Sequence, residues 1–145
     1  SMIFISVGNN QQSFIRLFKK FEKIYNNLPK KKPKVICQIG FTDYSNKEFK
    51  IIRFFEKKLF NQLVKKSELF ISHAGAGSVI DSINNKKIPV LLPREKKYNE
   101  HVDNHQIELY KQLLKIKFAS SFTQIYKLKN KEIKITRLKK KLIFK

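Results

Sequence analysis

Short apolar runs alternate along the chain with stretches in which apolar residues return every three or four positions. Met2–Val7 is an apolar run closed by Gly8, the pattern of a strand buried on both faces. Ser13 ends the polar loop that follows and is placed to cap a helix. Phe14, Leu17, Phe18, Phe21, Ile24, Tyr25 and Leu28 then recur at helical spacing, which predicts a helix with a wide apolar face. Pro29, the Lys30–Lys32 run and Pro33 end it. Val35–Ile39, closed by Gly40, predicts a second strand and Phe49–Phe55 a third. Leu59, Phe60, Leu63 and Val64 mark a helix, and Leu69–Ser72 predicts a fourth strand. Val79, Ile80 and Ile83 open another helix, stopped at Asn84-Asn85. Ile88–Leu92 predicts a fifth strand, Asp103–Lys115 a helix, and Ile116–Ala119 a short last strand. From Ser121 onward the pattern is ambiguous.

Strand–helix alternation of this kind predicts an α/β fold, a Rossmann-like, mostly parallel sheet with helices on both faces. Residues 2–120 form the expected domain, and 121–145 a basic C-terminal extension, helical or partly disordered. A chain of 145 residues suffices for one domain with a substantial core. Ser1 before Met2 reads as an expression scar, and neither a signal peptide nor a membrane span is evident. The single cysteine, Cys37, excludes an internal disulfide framework, fits a reducing, cytoplasmic compartment and reads as core.

Charge changes the picture more than composition does. The chain has 32 Lys+Arg against 11 Asp+Glu, a net of +21. Such a balance calls for an anionic partner, either nucleic acid or an anionic membrane surface. Two blocks concentrate it, Arg16–Lys34 with a net of +7 and Lys127–Lys145 with a net of +8.

The richest stretch is Leu69–Asp81, a strand running into His73-Ala74-Gly75-Ala76-Gly77-Ser78 and then a helix. Ligands of parallel sheets bind beyond the carboxyl ends of the strands. Gly75 and Gly77 let a ligand approach the backbone. Free N–H groups from Ala76 to Val79, the dipole and the Ser78 hydroxyl suit a diphosphate. Asp81, one turn further, could reach a ribose hydroxyl. The plain alternative is a tight strand–helix turn. The spacing is neither a Walker loop nor a dinucleotide fingerprint nor a nucleophile elbow.

The second stretch, Pro93–Gln106, follows the fifth strand at the same sheet edge. Asp103, Asn104, His105 and Gln106 suit the hydroxyls of a sugar. Asp103 and Asn104 could instead only cap a helix. His101 and His105 are four apart, as a metal clamp would be, but no third ligand is apparent. Arg94, Lys96 and Lys97 read either as a solvated loop or as phosphate contacts.

With IFISVG (Ile3–Gly8) and CQIG (Cys37–Gly40), these stretches, ISHAGAGSVIDSI and NEHVDNHQIELYKQL, resemble the C-terminal nucleotide-sugar domain of family 28 glycosyltransferases. They are most similar to its short stand-alone members, and the PRE…EHVDNHQ form favours the bacterial PssE-type branch of exopolysaccharide and capsule synthesis. The resemblance covers residues 2–115. It implies the donor half of a GT-B enzyme and inverting, metal-independent transfer, without a cofactor, from a UDP-sugar to a polyprenyl-diphosphate-linked acceptor. It also implies a membrane-anchored partner subunit and a place at the inner face of the cell membrane, and accounts for the charge without nucleic acid.

Carried onto this chain, residues Ala74–Ser78, with His73 beside them, would hold the donor diphosphate and Asp81 the ribose. Asn104, His105 and Gln106 would face the donor sugar, with Asp103 next to them, and Gly8, Asn9 and Asn10 form an acceptor-side loop. That loop has asparagines where the family usually has threonines. His73 and Arg94 are the candidates for stabilising the leaving group, and no general base is identified. A polyanion-binding module and a non-catalytic regulatory subunit with a decayed nucleotide site stand as the alternatives.

Overall fold

The computed structural model describes residues 1–29 and 31–126. Its elements are β1 (Met2–Ser6), α1 (Ile15–Asn26), β2 (Lys34–Gln38), β3 (Lys50–Ile52), α2 (Lys57–Lys66) and β4 (Leu69–His73). They continue with α3 (Ala76–Asn84), β5 (Val90–Leu92), α4 (His105–Lys115), β6 (Ser120–Ser121) and α5 (Phe122–Tyr126). The six strands lie in the order β3-β2-β1-β4-β5-β6, and every pairing is parallel. This is the doubly wound order, which reverses direction between β1 and β4.

Alternation along the central strands divides the core between two faces. Ile3, Ile5, Leu69 and Ile71 turn to one side, onto Leu17, Phe18 and Phe21 of α1. Phe4 and Phe70 turn to the other, onto Phe60 and Val64 of α2. There the rings of Phe4, Phe60 and Phe70 meet edge-on or tilted, with centroids 5.4–5.9 Å apart. A third cluster joins Val79 of α3, Leu91 of β5 and Leu113 of α4. Cys37 is buried, and desolvation pushes its thiol up to about 12.

Several boundaries differ from the sequence pattern. Ser13 does not cap α1. Phe14 occupies that position without a side-chain cap, and its N–H donates to Thr42 Oγ1 at 2.9 Å. The predicted Phe49–Phe55 strand shrinks to Lys50–Ile52. No helix joins β2 to β3; instead Tyr44 stacks on Phe18 and Phe49 meets the edge of Tyr25. Ile116–Ala119 is a turn rather than a strand, because Lys117 adopts a left-handed φ of 63° and the sheet resumes only at Ser120. Beyond it Phe122 and Ile125 join the main core, so the fold runs past residue 120. The Lys127–Lys145 block lies outside the described residues.

Candidate functional site

The point where the strand order reverses is an open crevice, because the connections leaving β1 and β4 depart to opposite faces of the sheet. Here it is a cavity of about 410 Å³ walled by Gly8, Asn9, Asn10, the stretch from His73 to Ser78, His101, His105, Gln106 and Leu109. Such a volume suits a small organic ligand.

Its floor is the end of β4. Helix α3 begins earlier than the hydrophobic period suggests, with Gly75 as its cap and Ala76, Gly77 and Ser78 as its first turn. The N–H of Val79 already bonds to Gly75 O at 3.0 Å, so the free donors are those of the first three helical residues. The Ala74 N–H is likewise committed, to Gln106 Oε1 at 3.1 Å. Nothing lies within 4 Å of where a Cβ on Gly77 would stand, so that side of the turn is open to a ligand.

Gly8 and Gly75 are bare for a different reason. A Cβ at either would come within 2.5 Å of the His73 imidazole, so the two backbones clasp that ring between them. Gly8 also has a φ of 70°, which a side chain would strain. The glycines at these two positions therefore make room for His73.

Around this ring the hydrogen bonds fix the tautomer. Arg94 Nε and Gln106 Nε2 both lie 3.2 Å from His73 Nδ1. Arginine only donates, so Nδ1 is the acceptor and the proton sits on Nε2. Nε2 is 3.2 Å from Ser78 Oγ, to which it donates, leaving the serine proton free for a ligand. Burial, then the Arg94 charge and His101, push the His73 pKa down to about 3. The imidazole is thus neutral and acts as a donor rather than a base.

Arg94 is fully buried. Its guanidinium donates to Gln12 O at 2.8 Å, Glu100 O at 3.0 Å and Val7 O at 2.8 Å as well as to His73. Desolvation lowers its pKa to about 10, which still leaves it charged at neutral pH. The loop arginine of the sequence reading is therefore an interior cation that ties the exits of β1 and β5 together. Its charge reaches the cavity through His73 and Ser78. Lys96 and Lys97 are exposed and do not line the cavity.

The polar set at the start of α4 divides in two. Gln106 is buried, accepts the Ala74 and Arg94 N–H groups and faces His73; it and His105 line the cavity. Asp103 and Asn104 do not. Asn104 Oδ1 accepts the Lys96 N–H at 3.0 Å. Asp103 lies 3.1 Å from His101 Nδ1 and 3.2 Å from His105 Nδ1. The backbone N–H of His105, with the two imidazoles, holds its carboxyl below the usual range. Asp81 also stays off the cavity wall, with Lys57 Nζ 2.9 Å from its Oδ1. His101 and Leu109 complete the wall; in the sequence His101 stands out only as half of a metal clamp with His105, and Leu109 only as an apolar position of the helix. Among the described residues no group of three or more His, Cys, Asp or Glu is arranged to hold a metal.

The model of the glycosyltransferase family 28 C-terminal domain matches residues 2–143. Among curated proteins, the UDP-N-acetylglucosamine transferase subunit ALG13 of Candida albicans (strain SC5314 / ATCC MYA-2876) is 30% identical over 80 residues. That match spans 55% of this chain and 26% of the relative. The Homo sapiens subunit of the same name is 38% identical over 87 residues, 57% of this chain and 7% of the relative. The chain thus spans about a quarter or less of the length of these relatives. Two solved structures share the fold. The glycotransferase of kitacinnamycin gives a TM-score of 0.63 at 12% identity, covering 95% of this chain and 34% of that one. CalG4, the calicheamicin glycosyltransferase, gives 0.65 at 11% identity, covering 99% and 37%.

Proposed function

Because the chain belongs to the glycosyltransferase family 28 C-terminal domain family, we propose that its cavity holds the nucleotide diphosphate of a UDP-sugar and that the chain is the donor half of a transferase. The observation that carries this reading is the donor set converging on one wall. The free N–H groups of Ala76, Gly77 and Ser78 stand beside a serine hydroxyl polarised through His73 by a buried arginine. A helix N-terminus backed by a fixed cation stabilises the charge that develops on a departing diphosphate. His105 and Gln106 lie on the wall where the donor sugar would sit.

In this reading His73 orients Ser78 and does not take a proton from the acceptor, since its Nδ1 is occupied and its Nε2 already carries one. The base comes from outside this set. The acceptor is a sugar carried on a polyprenyl diphosphate, met beyond Gly8, Asn9 and Asn10, and a membrane-anchored partner completes the cleft. The PRE…EHVDNHQ form supports a role in bacterial surface polysaccharide synthesis, at the inner face of the cell membrane. Asp81 meets the ribose only if it exchanges its Lys57 contact for the ligand.

Calorimetric titration with UDP, and with ADP as control, tests the donor site. Selective UDP binding that persists in chelator and at moderate salt is expected. Equal, strongly salt-dependent binding of both nucleotides would overturn it, since charge alone would then be read.

A further inference from the structure

In an all-parallel sheet, every segment that leads into a strand lies at the edge opposite the cavity. Here those segments carry Lys31 and Lys34 at β2, Lys65 and Lys66 before β4, Lys86 before β5 and Lys117 before β6. All are exposed, and none is in an ion pair among the described residues.

Three of them hold left-handed backbone, with φ of 69° at Lys31, 57° at Lys86 and 63° at Lys117. Lys86 and Lys117 follow helix ends, the place where glycine is the low-strain residue. The turns close normally around them, with the Lys87 N–H on Ser82 O and the Phe118 N–H on Leu113 O, both at 2.9 Å. A lysine in such a turn bears strain that glycine would avoid, and strain repeated at one edge points to a function for what the side chain carries. The three share charge, exposure and position.

The composition of the edge selects the anion. Among the described residues it carries lysines, with Glu48 before β3 and Glu68 before β4, and no arginine, and so lacks the planar fork that reads phosphates and base edges bidentately. The exposed aromatic side chains of the described residues, Phe41, Phe54 and Tyr98, all follow strand exits at the other edge, so bases would have nothing here to stack on. Point charges on short turns match the diffuse, mobile charge of an anionic leaflet.

We propose that this edge docks the chain on an anionic bilayer, with Lys65, Lys86 and Lys117 at the centre of the contact. The inference deepens the reading above by giving the chain a membrane-facing side, but it rests on different residues. The cavity then stands off the bilayer by the depth of the sheet, roughly 17 Å for a five-residue strand. It stays open to the nucleotide and to a partner. A lipid-borne acceptor must project that far, as one already bearing sugar would.

The full chain is sedimented with vesicles of phosphatidylcholine, with and without a quarter of phosphatidylglycerol. Binding to the anionic vesicles alone is expected. Each lysine near such a surface is worth roughly fivefold in partition. The triple variant Lys65→Gln/Lys86→Gln/Lys117→Gln should therefore lose at least about tenfold, while melting curves confirm that it folds. The charge-matched variant Lys58→Gln/Lys96→Gln/Lys97→Gln, at the other edge, should lose less than about threefold. Equal losses would mean that only net charge is read, and would overturn the proposal. Tighter capture by single-stranded RNA through the same three lysines would overturn it in favour of nucleic acid. A wild-type chain that binds these vesicles but not UDP would remove the transferase reading and leave the docking edge standing.

Discussion

Where the strands end, Arg16, Arg53 and Lys57 each lie within 3 Å of a carboxylate oxygen, of Glu100, Asp43 and Asp81 respectively. Where the strands begin, Lys65, Lys86 and Lys117 face solvent without an ion-pair partner among the described residues. The first edge spends its charge internally, with Arg94 as the extreme case, enclosed and bonded to three carbonyls and an imidazole. The second edge keeps most of its charge outside the fold, with Lys87, buried and donating to Ser67 O at 2.6 Å, as the exception. A net of +21 therefore says little about the cavity, whose one buried cation acts through neighbours. It says much about the opposite surface, where the excess is displayed.

Substitution of Arg94 should break the comparison most sharply. Arg94→Met takes the donor from the buried carbonyls of Val7 and Glu100 and from the half-buried carbonyl of Gln12, and leaves His73 Nδ1 with Gln106 Nε2 alone. Each unsatisfied buried group costs about 1–3 kcal/mol, so a loss of about 3–5 kcal/mol in chemical denaturation is expected. Lys65→Gln at the other edge should stay within about 0.5 kcal/mol of wild type. Comparable losses from the two would show that Arg94 is solvated in a way its bonding excludes.

Acid should act on the cavity edge through His73. His73 has a folded pKa of about 3 against an ordinary value of 6.5, so the unfolded chain binds the extra proton first. Its contribution is complete above pH 6.5 and is lost as pH falls toward 3, with a slope of at most about 1.4 kcal/mol per pH unit. His73→Asn should flatten that slope in denaturation series across this range. An unchanged slope would assign the acid sensitivity to other groups.

The next effect concerns binding. Ser78→Ala removes the hydroxyl through which Arg94 and His73 reach the cavity, and a hydrogen bond to a charged group is worth about 1.5–3 kcal/mol. UDP affinity should fall by roughly tenfold or more, with melting temperature nearly unchanged. If Lys86→Gln weakened UDP binding as much at moderate salt, the separation of the two edges would fail.

Much of the fold was legible because it rests on local pattern. The strands around Phe4, Ile36 and Phe70 and the wide face of α1 follow from period alone, and the strand-exit loops of β1 and β4 from their glycines. What stayed hidden depends on contacts far apart in the chain. Arg94 reads as one basic loop residue among Lys96 and Lys97, and what makes it interior are partners distant in the chain, among them the carbonyls of Val7 and Gln12, 87 and 82 positions away. The roles of Gly8 and Gly75 were likewise obscured, because the group that crowds them is a side chain and not a ligand. Asp103 belonged with the cavity by sequence neighbourhood, yet its carboxyl braces His101 and His105 instead. The left-handed lysines give no signal in the sequence, since glycine and asparagine are the residues that mark such a turn.

Those lysines offer the smallest effect and the most specific one. Relieving a left-handed residue with glycine recovers part of the roughly 1–3 kcal/mol of backbone strain. The added freedom of the unfolded chain returns about 0.5–1 kcal/mol of it. Lys86→Gly and Lys117→Gly should thus each raise stability by about 0.5–1 kcal/mol while lowering partition onto anionic vesicles. Stability and docking would then move in opposite directions at the same position, which a merely structural lysine cannot produce. If either glycine variant unfolds more readily, the side chain is supporting its turn, and the strain at that position needs no membrane to explain it.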